Sequence, residues 1–291
     1  MPETPPGGGT LFVVATPLGN LEDLTLRALR VLREVPLVAC EDTRRTQALL
    51  RAHGIESRTT SYFEHNERWK GERILSELRS GHDVALVSDA GTPGISDPGY
   101  RLVRDARAQG LRVLPVPGPS AAIAALSVSG LPTDRFLFVG FLPPRSGQRR
   151  RALEALAAER PTLVLYESPQ RVVEMLGEML EAFGDREAFL CREATKLHEE
   201  YRRGRLSSLR EALVAREAVR GEIVLVVAGA PAEPATDTEQ DPVALYRALA
   251  AEGRTRREAV KEAARRLGRP GREVYRLVQQ AEARTDDYTN E

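Results

Sequence analysis

Lysine is almost missing from this chain: of 42 basic residues only Lys70, Lys196 and Lys261 are not arginine. A GC-rich genome produces that bias, but arginine's planar fork also suits phosphate recognition. Cysteine is as scarce. Cys40 and Cys191 lie in apolar, strand-like runs, where reduced buried thiols are expected rather than a disulfide or a nucleophile. No apolar run approaches the roughly 18 residues of a membrane span, and the Pro/Gly-rich start lacks the apolar core of a secretion signal. A cytoplasmic protein without membrane contact is therefore expected. His53, His65, His82 and His198 are scattered without metal-ligand spacing, so no metal is expected. G-x-G-x-x-G after the first strand and a Walker A loop are both absent, which excludes the ordinary nicotinamide and P-loop readings. Net charge is zero, which excludes indiscriminate coating of nucleic acid but not a local basic patch.

What is present is an alternation of short β-branched runs with helical patterns over 291 residues. Strands are expected at Leu11–Thr16, Leu37–Cys40, near Thr59, at Val84–Val87 and at Arg112–Val116. Helices fall between them, which predicts a parallel-rich α/β sheet. The densest turn signal follows the fourth strand. Gly91 to Gly99 (GTPGISDPG) holds three glycines and two prolines, far more than one strand–helix turn needs. It reads as a rigid ligand loop at the carboxyl end of a central strand, where open α/β sheets place their sites. Asp97 and Pro98 read as the N-cap and first residue of the next helix.

A second rhythm starts at the hinge-like Pro117-Gly-Pro-Ser120. Strands are expected at Phe136–Val139, Thr162–Tyr166, Ala188–Cys191 and Ile223–Val227, with helices near 148–158, 169–183 and 207–215. The organisation predicted is a disordered tail at 1–10, α/β domains at 11–117 and 118–229, a polar linker at 230–240 and a basic helical module at 241–285. In that module Asp241-Pro242 and the capping box Thr255–Glu258 open two helices, and a third follows Gly268-Arg-Pro-Gly271. Leu245, Leu249, Val260, Leu267, Val274 and Leu277 suit a small trihelical core. From Asp241 to Ala283 ten Lys/Arg face six Asp/Glu, a local excess of cations. The module resembles a helix-turn-helix, which would meet nucleic acid, though a solvated helical tail or a dimerisation element has the same composition.

Seven motifs then occur in order: Thr16-Pro-Leu-Gly-Asn20, Cys40-Glu-Asp-Thr-Arg44, Ser61-Tyr-Phe-Glu-His-Asn-Glu67, Ser88 to Gly99, Pro115 to Ala121, Tyr166-Glu-Ser-Pro169 and Cys191 to Glu199. Together they resemble the ribosomal RNA small subunit methyltransferase I family, in the tetrapyrrole-methylase-like class of S-adenosylmethionine enzymes. The resemblance implies two α/β domains with S-adenosyl-L-methionine in the cleft between them, usually in a homodimer. It implies 2′-O-methylation of a cytidine ribose in the decoding region of 16S rRNA within the small ribosomal subunit.

On that resemblance Asp89, Ala90, Gly91 and Thr92 line the donor pocket, and Ser120 and Ala121 start a helix whose amides favour the donor's carboxylate. Pro17 and Leu18 form an apolar wall, with Tyr166, Ala194 and Ala228 opposite. Asp42, His65 and Lys196 are the candidates for the base, and Glu41 or Glu193 for a carboxylate beside the sulfonium. Arg44, Arg45, Arg145, Arg149, Arg150 and Arg151 are candidate phosphate contacts. Two rivals stay open: a methyltransferase acting on a small, tetrapyrrole-like molecule, and a DNA-binding regulator with a methylase-like sensor.

Overall fold

In the computed structural model, which describes residues 8–63, 65–231 and 241–287, short strands alternating with helices build a first sheet. Its elements are β1 (Thr10–Val14), α1 (Leu26–Glu34), β2 (Leu37–Cys40), α2 (Thr43–Ala52), β3 (Arg58–Ser61), α3 (Glu67–Arg79), β4 (Val84–Val87), α4 (Tyr100–Ala108) and β5 (Arg112–Val116). The strands run parallel in the order β3-β2-β4-β1-β5. Leu11, Leu37, Ala39, Val84 and Leu86 face α3 and α4, whereas Val14, Val38, Cys40, Ala85 and Val87 face α1 and α2. Burial on both faces is why β2 and β4 read as unbroken apolar runs.

A second sheet follows: α5 (Ala121–Val128), β6 (Phe136–Phe141), α6 (Ser146–Leu156), β7 (Thr162–Glu167), α7 (Val172–Phe183), β8 (Glu187–Arg192), β9 (Glu200–Arg205), α8 (Leu206–Val214) and β10 (Ile223–Val227). Its order is β6-β7-β10-β8-β9, parallel only between β6 and β7. One face packs on α6, α7 and α8 and the other on α5. Residues 1–230 and 231–291 form separate compact units. In the second, α9 (Pro242–Ala251), α10 (Arg256–Leu267) and α11 (Gly271–Asp287) enclose Leu249, Ala263, Val274 and Val278. The Asp241 cap and the Thr255–Glu258 capping box form as expected, and Gly268 ends α10 in the left-handed region at φ 60°. On α11 Val274 is fully buried as expected, joined by Val278 rather than by the half-buried Leu277.

Several boundaries differ from the expectation. Order begins before residue 11: the Gly9 amide donates to Leu78 O at 2.8 Å, and Thr10 already belongs to β1. Residues 1–7 lie outside the described residues, as do 232–240 of the expected linker, and Ala230 is held to the first unit by a 2.6 Å bond to Glu159 O. Asp97 is not an N-cap. Helix α4 begins at Tyr100 behind Gly99, whose φ of 140° and whose missing Cβ, which would lie 2.9 Å from Leu86, fix glycine there. β9 is a strand that sequence periodicity does not announce.

Candidate functional site

The turn after β1 and the loop after β4 are tied into one element. Thr16 and Gly91 exchange backbone hydrogen bonds of 2.9 and 3.0 Å, and the Thr16 hydroxyl donates to Ser88 O at 3.0 Å. Gly91 sits at φ 82°, with space for a Cβ only 3.4 Å from Leu18. The Thr92 hydroxyl donates to Pro119 O at 3.1 Å, so the β4 loop also fixes the hinge before α5. The result is a cleft of about 330 Å³ at the carboxyl ends of β4, β6 and β7, closed by the residues entering β10.

Of the residues expected at a donor pocket, Leu18, Asp89, Ala90, Gly91, Thr92, Ser120, Ala121 and Tyr166 all line this cleft. Pro17, Ala194 and Ala228 are not among its walls. Pro17 is buried in the turn after β1, and Ala194 and Ala228 pack half-buried against the α5 side of the second sheet. Ile95, Ser96, Phe141 and Glu167 also line the cleft, as does Asp97, which the sequence suggests as a helix cap; all but Phe141 fall within the motifs Ser88 to Gly99 and Tyr166 to Pro169. Tyr166 is fixed by an edge-to-face contact with Phe138 at 5.1 Å, and its hydroxyl accepts from the Ala122 amide at 3.2 Å. Ser120 places no side-chain cap on α5, so the first-turn amides other than that of Ala122, which the Tyr166 hydroxyl takes, are left for an anion.

Carboxylates dominate the remaining wall. Asp89 accepts from the Asp42 amide at 3.1 Å and pairs with Arg45 at 3.2 Å. Glu167 is fully buried. Its Oε1 pairs with Arg171 at 2.5 Å and accepts from the Ser168 amide at 2.6 Å, while Oε2 has no hydrogen-bond partner among the described residues. Burial, followed by the negative charges of Glu41, Asp89 and Glu222, pushes Asp97 up to about 6, with the Ser88 hydroxyl working the other way.

The three expected bases lie off the cleft walls. Asp42 caps α2, accepting from the Arg44 amide at 2.8 Å, and the Arg44 side chain holds its carboxyl below the usual range. Lys196 pairs with Glu193 at 2.9 Å and Glu222 at 3.2 Å. Burial opposes its charge, but those carboxylates prevail and raise its pKa, keeping it protonated. His65 is exposed, edge-on to Phe63. Arg149 is not a surface group at all. It is buried against Glu178 and Glu174, so a phosphate cannot reach it.

Within the second unit, α10 and α11 border a groove of about 710 Å³ lined by Arg257, Lys261, Arg265, Arg269, Arg272 and Tyr275. No carboxylate is on its wall. Arg257, Lys261 and Arg272 have no ion-pair partner among the described residues, whereas Arg265 and Arg269 share Glu262 and Glu273. Among the described residues no cluster of ligating side chains could hold a metal, and no helix is long and apolar enough to cross a membrane.

Residues 10–210 match the family model for tetrapyrrole (corrin/porphyrin) methylases. A protein of Mesorhizobium japonicum named ribosomal RNA small subunit methyltransferase I is 50% identical over 269 residues, covering 92% of this chain and 90% of the relative. The Thermotoga maritima protein of that name is 48% identical over 221 residues, 76% of this chain and 99% of the relative. Among solved structures, uroporphyrin-III-C-methyltransferase from Thermus thermophilus superposes with a TM-score of 0.55 at 25% identity, covering 76% of this chain and 94% of that one. Diphthine synthase superposes with a TM-score of 0.60 at 18% identity, covering 76% and 90%, a likeness of fold alone. The chain therefore belongs to the ribosomal RNA small subunit methyltransferase I family, built on the tetrapyrrole methylase fold.

Proposed function

We propose that the chain transfers a methyl group from S-adenosyl-L-methionine to the 2′-hydroxyl of a cytidine ribose in the decoding region of small-subunit rRNA. The observation that carries the reading is the cleft's split character. Its walls carry both the start of α5, which has no side-chain cap from Ser120, and the carboxylates Asp89, Asp97, Glu167 and Glu222. A donor with a carboxylate at one end and a sulfonium in the middle matches both features, and the orphaned Glu167 Oε2 supplies an unfilled acceptor. Leu18, Ile95, Ala121 and Phe141 provide apolar surface. When bound, the donor supplies a methyl already activated by positive sulfur. The chain's part is then alignment, with effective molarities on the order of 10⁵ M or more for well-oriented groups.

The cationic groove between α10 and α11 suits RNA phosphates, with the exposed Tyr275 ring as a stacking surface. That assigns residues 241–285 to substrate capture. The small ribosomal subunit would place the enzyme in the cytoplasm. We further assign a homodimer, supported by exposed apolar Ile123 and Val128 on α5 and Phe136 on the edge strand β6.

The test is transfer of labelled methyl to small ribosomal subunits, with porphyrinoid acceptors and duplex DNA in parallel. A Cys40→Ala, Cys191→Ala double variant is expected to stay active. Both thiols are buried, and burial pushes Cys191 up to about 11, so neither is poised as a nucleophile. Alkali cleaves RNA through a free 2′-hydroxyl, so the product should give a cleavage ladder missing one rung. A complete ladder from methylated RNA would place the methyl on a base. Transfer to the porphyrinoid alone would favour the small-molecule reading.

A further inference from the structure

The proposed reaction needs a group that takes the hydroxyl proton, and most carboxylates of the cleft are already engaged. Asp89 holds the Asp42 amide and Arg45, Glu167 holds Arg171 and the Ser168 amide, and Glu222 pairs with Lys196. Asp97 is the exception: it has no cationic partner among the described residues and faces the cleft half-buried.

The backbone around it is fixed in an uncommon path. Ser96 adopts φ 62°, Gly94 φ 80° and Gly99 φ 140°, and the Gly99 amide reaches Glu67 at 3.4 Å. A non-glycine residue in the left-handed region costs energy that surrounding structure must offset. Here the constraint places Asp97 beyond the end of β4 instead of at a helix cap. The two residues before it, Ile95 and Ser96, and Asp97 itself all wall the cleft.

Its surroundings favour a proton acceptor poised near neutrality. Glu41 acts on it from the end of β2, Ser88 and Asp89 from the end of β4, and Glu222 from the entry to β10. Tyr166, at the end of β7, senses its charge. Arg45, the nearest cation on the cleft wall, is committed to Asp89. Burial and this ring of carboxylates keep the Asp97 proton to about 6, so at cellular pH the group is ionised yet more basic than an ordinary aspartate.

We propose that Asp97 is the catalytic base, its carboxylate accepting the proton of the attacking ribose 2′-hydroxyl. This rests on the 2′-O-methyltransferase reading above. In the step, the 2′-oxygen forms a bond to the methyl carbon as the methyl–sulfur bond breaks. The electron pair of that bond stays on sulfur, giving a neutral thioether, and the hydroxyl proton passes to an Asp97 carboxylate oxygen. No oxidant or metal is needed. Solvent later removes the proton.

Single-turnover methylation of small subunits by the full chain, from about pH 5 to about pH 8, tests this against Asp97→Asn. Wild type should show a rising limb with an apparent pKa near 6. Asp97→Asn should be slower by about 10²–10⁴-fold and lose the limb. Its donor affinity by calorimetry should stay within about threefold. Carboxyl ¹³C NMR of the full chain without substrate gives an independent reading. One aspartate should titrate near 6, and its resonance should vanish in Asp97→Asn. An active wild type with an equally active Asp97→Asn overturns the assignment, as does a rate loss matched by an equal loss of donor affinity. No methyl transfer by wild type overturns the functional reading and the base together.

Discussion

The backbone amide of Asp42 donates to Oδ1 of Asp89 at 3.1 Å, so the residue after β4 that walls the cleft is held by the residue that caps α2. Asp89→Ala leaves that half-buried amide without its partner and releases Arg45. We expect a stability loss of about 1–3 kcal/mol. On the proposed reading, donor affinity should fall about tenfold or more, because a carboxylate of the cleft wall is gone. Thermal melting and calorimetry with S-adenosyl-L-methionine check the two effects separately.

Gly91→Val attacks the same loop from the other side. At φ 82° a β-branched residue is strained by about 1–3 kcal/mol, and its methyls extend past Leu18 into the space the ligand needs. The variant should fold with a lowered melting temperature and bind donor too weakly to measure. Wild-type affinity in the folded variant would remove Gly91 from the pocket.

Removing residues 231–291 should spare donor binding, since every residue of the cleft precedes them. The KM for ribosomal subunits should rise. The dependence of binding on salt should flatten as contacts from Arg257, Lys261 and Arg272 are lost, by roughly one unit of log–log slope per phosphate contact. The Thermotoga relative, matched over 99% of its own length by 76% of this chain, is a natural comparison for that truncation.

Stability should fall in acid for a definable reason. Hydrogen bonds from Arg216, then Arg192 and Arg202, outweigh burial and pull Glu200 down to about 2. Because the folded value is depressed, its contribution is full above the unfolded value of about 4.3 and is lost as pH falls from there towards 2. Glu178, buried against Arg149, shifts in the same direction. Asp97 has the opposite sign. With its folded value raised to about 6, native stability declines as pH rises from about 4 to 6, and Asp97→Asn should abolish that decline. Chemical denaturation across this range measures both.

Much of the first sheet is legible in the sequence because its strands are buried on both faces and read as apolar runs, as Val84–Val87 does. The loop after β4 is legible because its positive-φ turns at Gly91, Gly94 and Gly99 require glycine and so crowd the sequence with turn formers. Other features depend on long-range packing that local pattern does not carry. Glu200–Arg205 (EYRRGR) looks like a polar loop, yet it is an edge strand whose backbone pairs with β8, with its arginines exposed and Glu200 drawn in among Arg192, Arg202 and Arg216. Arg149 carries the signature of a surface arginine until α7 brings Glu178 beneath it. Asp97-Pro98 has the composition of a helix start, and only the requirement for glycine at position 99, against Leu86, moves the start to Tyr100. The same displacement turns an apparent cap into a carboxylate in the cleft.

The paired hydrogen bonds between Thr16 and Gly91 make the floor of the cleft an extension of the central strands β1 and β4. Ligand loops commonly open with free energies far below that of global unfolding. This one cannot detach without breaking a bridge anchored in the most deeply buried part of the sheet. The amide hydrogens of Thr16 and Gly91 should therefore exchange with solvent as slowly as those of Val84–Val87, with or without ligand. The binding surface is completed when the sheet folds, so little ordering entropy remains to oppose association.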